Sequence, residues 1–180
     1  MHRRPLSFLL VALACSSALA ASPYAGQDLR DIKALAPHEV ADYVAGKGMG
    51  FAKAAELNGY PGPAHVLELA AELQLSDEQQ ARTRGVFERM QARAVALGRQ
   101  LVDEERRLDE LFARRAITVE ALRASLQRIG ALQAEIRATH LQAHLEQTAL
   151  LSPHQVSRYA ALRGYGQAPE AHQRQKHTGH

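Results

Sequence analysis

Tryptophan is absent from this chain, phenylalanine and tyrosine are few, and cysteine occurs once, as Cys15. Any form that lacks Cys15 has no disulfide and no thiol chemistry. Lysine is missing from residues 63–163, where the fixed positive charge is all arginine. Neither sign of charge dominates: 22 Lys and Arg face 19 Asp and Glu, a formal net charge of +3. Two of those positive charges, Arg3 and Arg4, lie in the first segment, so overall charge makes no case for a nucleic-acid partner. No apolar run is long enough to span a bilayer stably. Serines with catalytic context are absent too, since no strand–turn–helix elbow surrounds Ser76 or Ser152. The carboxylates Asp103, Glu104 and Glu105 are followed at once by Arg106 and Arg107, a pattern of salt-bridged surface. A binding protein fits this inventory better than an enzyme.

What remains is rich in Ala, Leu, Arg, Glu and Gln, the composition of long helices rather than of a sheet. Residues 1–20 read as an export signal. Arg3 and Arg4 form its positive start, Leu6–Ala14 its apolar middle, and Ala18-Leu19-Ala20 its cleavage site. In a bacterium this means a periplasmic protein. The alternative is cleavage before Cys15 with lipid attached there, the one route to a membrane anchor.

The chain is expected to be all-α and organised around a helical hairpin from Ser76 to about Leu150. Phe87, Met90, Ala94, Leu97, Leu101, Glu104, Leu108 and Leu111 are spaced alternately by three and four. Val119, Leu122, Leu126, Ile129, Gln133, Ile136, His140 and Ala143 repeat that spacing, which keeps one stripe of each helix facing one partner. The short connection Arg114–Thr118 makes the two helices antiparallel neighbours, with Thr118 capping the second.

Asn58-Gly59-Tyr60-Pro61-Gly62-Pro63 is a dense breaker cluster, and a compact domain is expected over residues 63–163. Residues 21–62 are expected to form an arm and linker with short helices, one starting at Pro37. Gly46-Lys47-Gly48-Met49-Gly50 invites a phosphate-loop reading, but no apolar strand precedes it and no Gly-Lys-Ser/Thr follows, so it reads as a connector. Residues 164–180 read as a disordered tail carrying His172, His177 and His180.

Two short stretches match each other. Leu75-Ser76-Asp77-Glu78-Gln79 opens the first long helix, and Leu151-Ser152-Pro153-His154-Gln155 opens the last one. Each is a capping box, in which serine accepts from the glutamine's backbone N–H and the glutamine side chain reaches back. With the export signal and the hairpin, these pairs give residues 63–163 a resemblance to the Spy/CpxP family of LTxxQ-motif proteins, with serine in place of threonine. The resemblance implies a four-helix bent hairpin that pairs into a cradle-shaped homodimer. It also implies an ATP-independent periplasmic chaperone for unfolded or stressed envelope proteins. A related branch binds heavy metals. Client-binding residues would be Arg89, Met90, Arg93, Leu97, Arg99, Arg106, Arg128 and Arg137, since arginine beside apolar side chains grips varied chains. From charge alone, a solvated face of Glu–Arg pairs is the simpler reading.

His140 and His144 stand four apart on one helix face, a spacing that places two imidazoles on one ion. Hairpin pairing brings Met90 near His140 and Glu88 near His144, and His65 can approach from the preceding short helix. Such a set suits zinc, copper, nickel or cobalt. The plainer alternative is a polar break in the seam at His140 and a His144–Glu88 pair. Export is checked by the N-terminal sequence of protein from the envelope fraction. Ala21 at that terminus is the expected outcome, whereas lipidated Cys15 means an anchored form.

Overall fold

The computed structural model describes residues 22–165. Residues 1–21, which include the expected export signal and Cys15, and residues 166–180 with their three histidines lie outside the described residues. Regular structure among the described residues is helical throughout. A 3-10 turn at Gln27–Leu29 precedes α1 (Pro37–Val44), α2 (Lys53–Glu56), α3 (Pro63–Glu68), α4 (Asp77–Ala113), α5 (Val119–Leu150) and α6 (Pro153–Leu162). No described helix is long and apolar enough to cross a membrane.

Helix α4 has 37 residues and so runs about 55 Å at ~1.5 Å per residue. It folds back on α5 through Arg114–Thr118, where Arg115 takes a left-handed φ of 55° and the Thr118 hydroxyl accepts from Ala121 N–H at 3.2 Å. Polar pairs fix the antiparallel register. Gln147 donates to Thr83 at 3.1 Å inside the seam, and Arg128 donates to Glu104 at 2.6 Å farther along. Glu104 is 3 % exposed. The Arg128 hydrogen bond chiefly, and the charge of Arg107, hold its carboxyl below the usual range against the opposing effect of burial. Its stabilising contribution is therefore present above the ordinary glutamate pKa of about 4.3 and fades as pH falls below it.

The buried stripe of α4 follows the expected positions in its middle, where Ala94, Leu97, Leu101 and Glu104 are enclosed; toward its start Val86 is buried and the expected Phe87 only half-buried. That of α5 shifts by one residue in its first half. Ser125 is buried where Leu126 was expected, and Leu126 is 53 % exposed. Leu132 rather than Gln133 packs on the core of Leu97, Leu101, Ile129 and Ile136. The small serine lets α4 approach closely while Arg128 reaches Glu104 from the same turn; its hydroxyl accepts from Arg128 at 3.4 Å.

Both capping boxes close, and they meet. The Ser76 and Ser152 hydroxyls accept from Gln79 N–H and Gln155 N–H, each at 3.2 Å. The two glutamine side chains then bond to each other reciprocally, at 2.9 and 3.1 Å. Gln79 also donates to the Leu150 carbonyl and Gln155 to the Leu73 carbonyl. Leu75 and Leu151, the first residues of the two motifs, join a second core with Val66, Leu73 and Tyr159. The repeated motif is thus one clasp made of two halves, and it locks α3 and α6 to the base of the hairpin.

Residues 22–62, read from sequence as part of an arm and linker over 21–62, pack on the hairpin. Helix α1 packs on α4, and α2 on α5. Ile32 is 2 % exposed, Tyr43 and Phe51 cover the hairpin core, and Lys33 pairs with Asp109 at 3.3 Å. Gly98 explains how α1 fits. A Cβ there would lie 2.0 Å from the Tyr43 carbonyl oxygen, so the end of α1 sits directly on the glycine. At Gly130, by contrast, an added Cβ meets open space. Gly130→Ala should stabilise the protein by up to about 1 kcal/mol through helix propensity. Gly98→Ala should destabilise it by about 1–3 kcal/mol, as overpacking does. Urea midpoints of the two variants check this, and an equal gain in both would contradict the docking of α1.

Candidate functional site

The docked N-terminal segment closes a cavity of about 420 Å³ against the hairpin. The Gly46–Gly50 loop forms one wall, the start of α3 another, and Phe87, Met90, His140 and His144 of the hairpin form the floor. Gly62 presses on that floor: a Cβ there would stand 2.8 Å from His144 Cε1. Only a residue without a side chain lets the breaker cluster cover the imidazole so closely.

Sequence pairing placed Met90 opposite His140, and both line the cavity. Glu88 is a correction. It is exposed and points away, because it lies two residues before Met90 on a helix whose neighbouring faces are separated by three or four. The carboxylate near His144 comes instead from Glu56, on α2, within the segment read as a linker.

Glu56 is the most connected side chain of the site. Its Oε1 accepts from the hydroxyls of Tyr159 and Tyr165, the latter at 2.9 Å. Arg163 Nε lies 3.6 Å from the same oxygen, as does His65 Nδ1. Burial above all, and then the Glu56 hydrogen bond, raise the Tyr159 hydroxyl far above its ordinary value, so it stays a proton donor. The other oxygen, Oε2, is buried without a hydrogen-bond partner, 3.7 Å from His144 Nδ1.

The two hairpin histidines are set differently. His144 Nδ1 stands 2.7 Å from the Tyr60 carbonyl. A carbonyl only accepts, so Nδ1 carries a proton and donates it there. His140 is 3 % exposed, and its ring lies near-parallel to Phe51 with 6.4 Å between centroids. Its Nε2 has no partner. Burial chiefly, and the nearby His144 secondarily, push its pKa down and favour the neutral ring. Neutral imidazole nitrogen is the form that binds metal. Among the described residues, however, no three His, Cys, Asp or Glu side chains converge on one point.

The expected client-binding residues are scattered. Leu97 is a second correction: at 4 % exposure it belongs to the core beneath α1, because the segment expected to leave it uncovered packs on it. Arg89 pairs with Glu146 at 3.0 Å and Arg93 with Glu135 at 3.4 Å. Both pairs cross a groove of about 320 Å³ on the hairpin, which Val86 and Met90 also line. Arg106 pairs with Asp103 at 3.0 Å and Arg128 with Glu104. Arg99 and Arg137 are exposed.

Comparison of the chain with protein-family models, curated proteins and solved structures gave no match.

Proposed function

We propose that this chain is an exported, non-catalytic helical protein of Spy/CpxP type whose cavity takes up a transition-metal ion. One observation carries the reading. Two potential donor atoms, His140 Nε2 and Glu56 Oε2, are buried without hydrogen-bond partners beside one cavity. A buried polar atom left unpaired costs about 1–3 kcal/mol, and a bound ion would satisfy both. His144, oriented by the Tyr60 carbonyl, has the second-shell support that metal-binding histidines usually have. His140, His144, Glu56 and the thioether of Met90 would hold the ion. Export through residues 1–20 would put the site in the periplasm.

A second reading concerns the hairpin groove. The Arg89–Glu146 and Arg93–Glu135 pairs have partners more than half exposed, and such pairs contribute about 0–1 kcal/mol each. An unfolded chain bearing carboxylates and apolar side chains would displace them cheaply. This supports an ATP-independent chaperone, paired as a homodimer with the groove on its concave side.

Metal uptake is checked by calorimetric titration with zinc, copper, nickel and cobalt, using a chain with His172, His177 and His180 changed to glutamine. One ion per chain is expected, with affinity falling at least about tenfold in His140→Ala and in His144→Ala. Titrations without heat for any metal, or binding untouched by both substitutions, would overturn the reading. In the same preparation, aggregation of an unrelated unfolding protein should be suppressed without nucleotide, with or without chelator; no suppression removes the chaperone reading.

A further inference from the structure

Beyond Met1, the chain has two methionines, Met49 and Met90. Both line the cavity that His140 also lines, and the Nε2 of His140 is buried without a partner. They arrive from unrelated places, Met90 from the middle of α4 and Met49 from the glycine loop 41 residues earlier in the chain.

Met49 sits there against a conformational cost. Its φ is 43°, in the left-handed region that disfavours side chains by about 1–2 kcal/mol. Glycine would occupy it without strain, and glycines stand on both sides, at positions 48 and 50. A loop selected for its turn alone would carry glycine at position 49. The strained residue is a thioether at the rim of the cavity, 37 % exposed. Strain of this kind points to a use for the side chain.

The hard donors of the cavity are poorly arranged for a divalent ion. No three carboxylates or imidazoles converge among the described residues. Glu56 already has one oxygen engaged by two tyrosine hydroxyls with Arg163 nearby, which offsets much of its charge. Lys53 adds positive charge at the wall, whereas Lys47 there pairs with Asp42 at 2.6 Å. A second positive charge on the ion would be opposed more strongly there than a single one. Two thioethers beside a buried imidazole favour a soft cation instead.

We infer that the cavity selects a soft monovalent metal ion, copper(I) or silver(I), with Met49 joining Met90 and His140 as the ligands that select it. This rests on the metal-binding reading above and narrows it to a metal class. Met49 acts as the cover: it lies on the loop, at the mouth, and brings the last donor over an ion already lodged against Met90 and His140.

The test uses the whole exported chain with the three tail histidines changed to glutamine. Copper(I) is titrated under anaerobic, reducing conditions against a chromogenic copper(I) chelator, and zinc(II) and cobalt(II) against their own indicators. The comparison is with Met49→Leu/Met90→Leu, a swap that keeps side-chain volume and fold. Copper(I) affinity should fall at least about tenfold in that variant, and by a larger factor than the affinity for zinc. In the unaltered chain, silver(I) should shift the methyl resonances of both Met49 and Met90, a readout independent of the variant's folding. Undiminished copper(I) affinity in the double variant, or unshifted methyl resonances, would overturn the inference. Tight zinc or cobalt binding without copper(I) preference would overturn it too, yet leave the metal reading standing. No binding of any of these ions would end both.

Discussion

The Glu56 carboxylate is the contact on which the arrangement of the short elements depends. It is nearly buried, at 12 % side-chain exposure, and a buried charge is tolerated only when it is paired and hydrogen-bonded. Its partners come from three directions: Tyr159 from α6, Tyr165 and Arg163 from the turn after it, and His65 from α3. Removing any of them would leave charge or a hydroxyl unsatisfied. The carboxylate thereby ties the N-terminal segment to the C-terminal helix across more than a hundred residues of chain. Glu56 also lines the cavity. The same residue that holds the fold together shapes the site.

The hairpin itself is built on a different principle. Its seam is not uniformly apolar: Thr83, Glu104, Ser125, His140, His144 and Gln147 are all buried in it. Polar pairs such as Thr83–Gln147 and Glu104–Arg128 fix the register, because sliding one helix past the other would strand each partner. At the base, the clasp of Gln79 and Gln155 ties the starts of α4 and α6 to one another. The histidines lie between these two fixed regions, where the hairpin needs a lid, and α1, α2 and the glycine loop supply it.

Much of this was legible in the chain, and the reasons are local. Long periodic segments announce themselves, so α4, α5 and the turn at Arg114–Thr118 fall where spacing and caps put them. Serine and glutamine three apart specify a capping box, and both boxes close. That the two boxes bond to each other was not legible, since nothing in either motif refers to the other. The burial of residues 32–62 was hidden for a related reason. It comes from isolated side chains, Ile32, Tyr43 and Phe51, separated by turns and without a period. Gly98 reads in sequence as a helix defect, whereas the Tyr43 carbonyl makes it a docking point. The metal-ligating candidates divide the same way. His140 and Met90 follow from hairpin register, but Glu56 depends on the path of a loop. The nearest sequence signal was its position beside a breaker cluster whose Pro61, Gly62 and Pro63 are buried rather than exposed.

If the N-terminal segment is a structural wall of the site, its backbone must be protected as the hairpin is. Amide hydrogen exchange of the protein, followed residue by residue, measures this directly. The expected result is slow exchange at Val40, Ala45 and Leu57, whose N–H groups are bonded within or just after α1 and α2. Their opening free energies should lie within about 1–2 kcal/mol of those at the core of α4. Fast exchange throughout residues 30–62, beside a protected hairpin, would contradict the account, since a segment that opens freely cannot keep Glu56 buried or close the cavity.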